Sequence, residues 1–78
     1  MEFDTLLKIV SSLLQKGELT ALRSMLKELN IVDIASMMDE LEPGERLRLF
    51  RIMSKDMSAD VFSYLEPDSQ EEIVRMIT

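Results

Sequence analysis

The sequence predicts an all-α fold: about six short helices wound into a superhelical solenoid with a period of roughly twelve residues. Three observations predict it. First, an apolar pair followed by a third apolar residue recurs at a fixed interval: Met25, Leu26, Leu29; Met37, Met38, Leu41; Leu49, Phe50, Met53; Val61, Phe62, Leu65; Ile73, Val74, Ile77. Leu13 and Leu14 stand one period earlier, with Gly17 in the third slot. Positions i, i+1 and i+4 share a helix face, and the alternation of a strand is missing. Second, twelve residues at about 100° each rotate the stripe by roughly 120° per period, so one continuous helix would smear it around its surface. Third, Leu-Glu-Pro occurs at 41–43 and again at 65–67. Proline breaks a helix interior but suits a first turn, so each tripeptide marks a helix start.

The elements follow in order. The first helix is predicted over about Phe3–Gln15, ended by Gly17, a residue type suited to the position after a helix. The second covers about Glu18–Leu29. Asn30 closes it and caps the third, about Ile31–Leu41. Glu42 and Pro43 open the fourth, which ends near Met53. Ser54 is the N-cap of a fifth over about Lys55–Tyr64. Glu66 and Pro67 open the sixth, with Asp68 in its first turn, where a negative charge suits the helix dipole.

Helices this short are marginal alone in water. Each must bury its stripe on its neighbours, so the Met, Leu, Ile and Phe repeat positions are read as core. Met25, Met37, Met38 and Met53 fall in that set; Met57 lies outside the repeat and is left open between core and an adaptable binding groove. A solenoid has an uncovered last helix, and here Ile73, Met76 and Ile77 are expected to be exposed. Residues 1–78 are therefore read as a single helical-repeat domain that is a piece of a longer chain, a dimer, or both.

Composition narrows the chemistry. There is no cysteine, hence no disulfide or thiolate ligand, and no histidine, the commonest general base and transition-metal ligand. No apolar run approaches the roughly 18 residues of a membrane span. Glu2 and Asp4 are not the basic start of a secretory leader, so a soluble, cytoplasmic chain is expected. The net charge of −6 is uneven: residues 1–55 are nearly balanced, whereas residues 56–78 carry Asp56, Asp60, Glu66, Asp68, Glu71 and Glu72 against Arg75. Nucleic-acid binding needs the opposite sign. Arg46, Arg48 and Arg51, with Glu42 and Glu45 beside them, read as an ion-paired helix face.

No catalytic constellation appears. Gly17 and Gly44 are the only glycines, too few for a phosphate-cradling loop, and the hydroxyl residues lack a histidine or cysteine to activate or replace them. The chain is not expected to be an enzyme. The acids, Asp33 among them, are oxygen donors suited to a hard cation, but no calcium-loop spacing is present. Each alone reads as a solvated charge. A dense acidic face nevertheless favours screening by a divalent ion.

An ordered series of segments carries a family resemblance. Gly17-Glu18 precedes LRSMLKEL (22–29); VDIASMMDEL (32–41), LEPGERLRLF (41–50), SADV (58–61) and YLEPDSQEEIV (64–74) follow. Over Leu13–Ile77 the chain resembles the cytosolic N-terminal domain of MgtE-type magnesium transporters. The resemblance implies a superhelical domain on the cytoplasmic side of the membrane, followed in the intact transporter by CBS domains, a connecting helix and a pore domain, working as a homodimer. It also implies that Mg2+ binds between acidic surfaces of the N-terminal and CBS domains, with the pore closed when the ion is bound. Asp60, within Ser58-Ala59-Asp60-Val61, matches an acidic position facing the CBS domains and is the one residue that the resemblance nominates as a metal contact, weak and interfacial. A competing reading is a helical-repeat interaction module without ion sensing, such as the middle domain of the flagellar motor switch protein FliG; the absence of histidine counts against it, because that domain typically carries a Glu-His-Pro-Gln signature. A solenoid adaptor that grips a partner helix is the third.

Overall fold

The computed structural model describes residues 2–78. Its order is α1 (Phe3–Lys16), α2 (Leu19–Lys27), α3 (Ile31–Glu40), α4 (Pro43–Ile52), α5 (Lys55–Tyr64) and α6 (Pro67–Ile77), all helical as the repeat predicts. Gly17 ends α1 in the left-handed conformation, φ 70°. The Gly17 N–H donates to Leu14 O and the Glu18 N–H to Leu13 O, the paired bonds of a Schellman ending. A Cβ on Gly17 would meet no atom within 4 Å, so the cost of Gly17→Ala is conformational rather than steric. That substitution is expected to destabilise the fold by about 1–2 kcal/mol in urea unfolding; no change would mean that this ending is not held left-handed in solution.

The second helix is shorter than expected. It stops at Lys27, and Glu28 and Leu29 close it with i to i−3 bonds to Met25 O and Leu26 O, a tightened last turn. The predicted caps form: the Val32 N–H donates to Asn30 Oδ1 at 2.8 Å, and the Met57 N–H to Ser54 Oγ at 3.2 Å. Pro43 and Pro67 each occupy a first helical turn, and the residues before them, Glu42 and Glu66, are extended, as a following proline favours.

The core runs through all six helices. Leu6, Val10 and Leu14 of α1 form one buried stripe; Leu22, Leu26, Ile34, Met37, Met38, Leu49, Val61 and Ile73 complete the fully enclosed set. Packing reaches the next helix but one: α3 lies most extensively on α5, α1 on α3 and α4, and α4 on α6. Repeat-equivalent rings meet, with the Phe50 and Phe62 centroids 6.0 Å apart and tilted by 60°. The radius of gyration is 11.4 Å with extents of 29 × 22 × 22 Å, matching the value of about 11.5 Å for a compact domain of this length.

Two expectations are corrected. Ile73 is buried, because α6 packs on α4 and this residue faces inward; only Val74, Met76 and Ile77 overhang the core. The arginines do not form an ion-paired surface with Glu42 and Glu45. Arg46 is 7% exposed and turns into the fold. Its Nε donates to Met38 O at 2.8 Å, which also accepts from the Leu41 N–H, and its Nη2 to Leu41 O at 2.8 Å and Asp39 O at 3.1 Å, so one guanidinium caps the carbonyl end of α3. Its Nη1 meets Glu72 of α6 at 2.6 Å. Arg48 donates to Leu14 O at the end of α1, and Glu45 instead accepts from Ser11.

Candidate functional site

The acid-rich surface is built by α5 and α6. Helix α5 is anchored by the Ser54 cap and by Val61, which is fully enclosed. With Val61 directed inward, its neighbour Asp60 stands exposed to solvent, one turn after Asp56. The end of α5 is tied to α6 through Gln70, whose Nε2 donates to Phe62 O at 2.7 Å. The start of α6 is tied to α3, where the Asp39 carboxylate accepts from the Glu66 N–H at 3.2 Å. These contacts set the surface on the core, since each joins separate helices, the first through half-buried atoms and the second at the surface.

The acids there are not equivalent. Glu72 is engaged by Arg46 and Glu71 by Arg75 on the same helix. Asp56, Asp60 and Asp68 have no side-chain ion pair or hydrogen bond among the described residues, so their exposed carboxylates are accessible to an incoming cation. Of the residues expected to act together, the structure does not gather three carboxylates at one point: among the described residues no group of three or more acidic side chains is placed to hold a metal ion. Asp33 lies apart, in the first turn of α3. Asp60 therefore presents a single-carboxylate donor. Magnesium commonly binds through one or two carboxylates and keeps several waters, a donor set that one exposed aspartate fits only if a second surface supplies the remainder.

A second surface lies at Met57, the methionine that the repeat leaves open. Arg23, Leu26 and Lys27 of α2 face Ile52, Met53 and Met57 across a groove of about 210 Å³. Arg23 fixes one wall by donating from Nε to Ile52 O at 3.0 Å. Met57, which the repeat leaves unassigned, is half-buried along this groove. A sequence signal for the engaged side chains does exist: Arg46 and Gln70 each follow Leu-Glu-Pro by three residues, and each bonds a carbonyl eight residues earlier, Met38 or Phe62. The structural repeat is thus a two-helix unit with an inter-helix cap. No described helix is long and apolar enough to cross a membrane.

Comparison with known proteins agrees with the helical unit. The family model for the MgtE intracellular N domain matches residues 29–78. The Magnesium transporter MgtE of Thermus thermophilus is 36% identical over 59 residues, which is 76% of this chain and 13% of that protein. No solved structure matches. The family model takes in the whole of α3 to α6, including both Leu-Glu-Pro units and the acidic surface that they position, so the chain belongs to the MgtE intracellular N-domain family.

Proposed function

We propose that this chain is the cytosolic, magnesium-sensing regulatory domain of a magnesium transporter, a single 1–78 module of a longer homodimeric protein that carries no transport path itself. The observation that supports this most is the pairing of family membership with the charge arrangement on α5 and α6, where Asp60 stands exposed beside Asp56 with no side-chain partner among the described residues. Two acidic surfaces repel at short range. An ion held between this face and the CBS domains of the same transporter binds the compact arrangement and not the separated one, so magnesium shifts the population toward compact. The pore closes in that state and opens as the ion is lost. Asp60 contributes one oxygen ligand or accepts from a magnesium-bound water, with the other donors on the facing domain. Weak affinity follows from that sharing and suits an ion whose concentration is being read.

The test is Asp60→Asn in the intact transporter, read as magnesium protection of the cytosolic region against protease. The expected result is that about fivefold or more magnesium is needed for half-protection, the lower range of coupling between linked sites. Unchanged protection would remove Asp60 from the interface. A second reading, a protein-interaction repeat without ion sensing, is favoured by the apolar groove between α2 and α5. It predicts that magnesium does no more than a monovalent salt of equal ionic strength.

A further inference from the structure

We propose that the groove between α2 and α5 docks an acidic amphipathic helix of a separate partner protein. That helix seats one large aliphatic side chain in the groove and sets two carboxylates, one turn apart, against Arg23 and Lys27. The inference does not rest on the magnesium reading; it gives a partner chemistry to the surface that the second reading invokes. All of the lining falls within residues 23–57, on α2 and around the junction of α4 with α5. Leu26 and Met53 are buried while Ile52 and Met57 are half-buried, so the floor is fixed and the edge is open. The space is about 210 Å³. That is below the roughly 300–1,000 Å³ of small-molecule sites and suits a single Leu, Ile or Met side chain. Met57 at the open edge is unbranched and adapts to the shape of what enters.

Charge selects the partner. The chain has fifteen acids and nine bases, yet the groove is lined by two cations and no acid. Arg46 and Arg75 have carboxylate partners, whereas Arg23 and Lys27 form no ion pair among the described residues. The two stand four residues apart on α2, and so on one face of it. Arg23 is held in place, because its Nε donates to Ile52 O at 3.0 Å. Its Nη1 and Nη2 are left to grip one carboxylate in a fork, and Lys27 offers a point charge to a second. A helix with acids at i and i+4 and Leu or Met at i+3 carries this spacing on a single face, the helix-in-groove mode of recognition. Opposite charges around an apolar centre then fix register and partner. Helix α6 of a second copy does not supply those acids, since Glu71 and Glu72 are already engaged by Arg75 and Arg46. A bilayer is disfavoured by shape: membrane-surface helices sink a projecting apolar face into lipid, and here the apolar residues line a recess.

Fluorescence anisotropy with a labelled, cross-linked helical peptide tests this. The probe is about 15 residues long, the length at which an isolated helix becomes viable, and presents Glu at i and i+4 with Leu at i+3. It is titrated in EDTA into the 78-residue chain and into the intact protein of which the chain is a module. Saturable binding to both is expected, weakened by raised monovalent salt. Lys27→Glu and Met57→Asp are each expected to weaken it about tenfold or more, as loss of a central interface residue does. Circular dichroism checks that both variants fold. Lys27 is exposed, and Lys27→Glu is expected to regain binding to a probe with Lys in place of the facing Glu, which a folding defect would not allow. Equal binding of a probe with both Glu changed to Gln, binding indifferent to Met57→Asp, or no saturable binding at millimolar probe would overturn the proposal. So would binding to the 78-residue chain but not to the intact protein, which would mean that another segment of the same polypeptide fills the groove. Phosphatidylglycerol vesicles that bind through Lys27 where the peptide does not would assign the surface to lipid instead. Failure here leaves the Asp60 result untouched, since that assay reads a different surface and a different ion condition.

Discussion

Arg46→Ala is expected to remove about 2–4 kcal/mol of folding stability, chiefly the charge-assisted hydrogen bonds that its guanidinium gives to the carbonyls at the end of α3. A chain of this length has roughly 4–12 kcal/mol in total, so the variant should be largely unfolded at temperatures where the wild type is not. The size of the effect comes from what one side chain satisfies. Three carbonyls at the end of α3 and the Glu72 carboxylate all use the same guanidinium. Deleting it leaves the carbonyl of Leu41, a residue 6% exposed, without this donor and the Met38 carbonyl with the Leu41 N–H alone, and a buried polar group without a partner costs about 1–3 kcal/mol. Glu72 is half-exposed and can be rehydrated, so the ion pair is the smaller part. Two comparisons separate these contributions. Glu72→Gln should cost about 1 kcal/mol, because the carbonyl bonds survive. Arg46→Met keeps the apolar stem but should still lose most of the stability. Urea unfolding followed by far-ultraviolet circular dichroism measures all three; a loss below about 1 kcal/mol for Arg46→Ala would show that water replaces the guanidinium at the end of α3.

This arginine marks where reading the chain stops being sufficient. Helix number and type were legible because they depend on local spacing: the apolar repeat, two prolines in first turns, Asn30 and Ser54 as caps, and Gly17 at a left-handed position. Those devices act within a few residues of themselves. Arg46 looked like a surface charge because Glu42 and Glu45 lie beside it, but its true partner is 26 residues away and its burial depends on how α6 crosses α3 and α4. The mistaken exposure of Ile73 has the same origin, since the stripe identifies a helix face and not how far a neighbouring helix extends over it. Asp60 was reached by family resemblance. In geometry it is one solvated carboxylate among several, and its distinction lies in what faces it, which belongs to another surface. The groove at Met57 needed tertiary structure altogether, for its two walls come from segments some thirty residues apart in sequence.

Burial, rather than the repeat position, should therefore govern the energetics of the stripe, and two alanine substitutions test that. Leu49 and Ile77 belong to the same twelve-residue pattern, but Leu49 is fully enclosed and Ile77 is 52% exposed. Leu49→Ala removes core volume between helices that cannot fully collapse around it and is expected to cost about 2–5 kcal/mol. Ile77→Ala leaves no enclosed cavity and is expected to change stability by about 0.5 kcal/mol or less in dilute protein. A large loss of folding stability from Ile77→Ala would mean that α6 packs inward over its last turn. A small loss from Leu49→Ala would show that α4 can close over the gap, making the repeat a tolerant scaffold held chiefly by the cap that Arg46 places on α3.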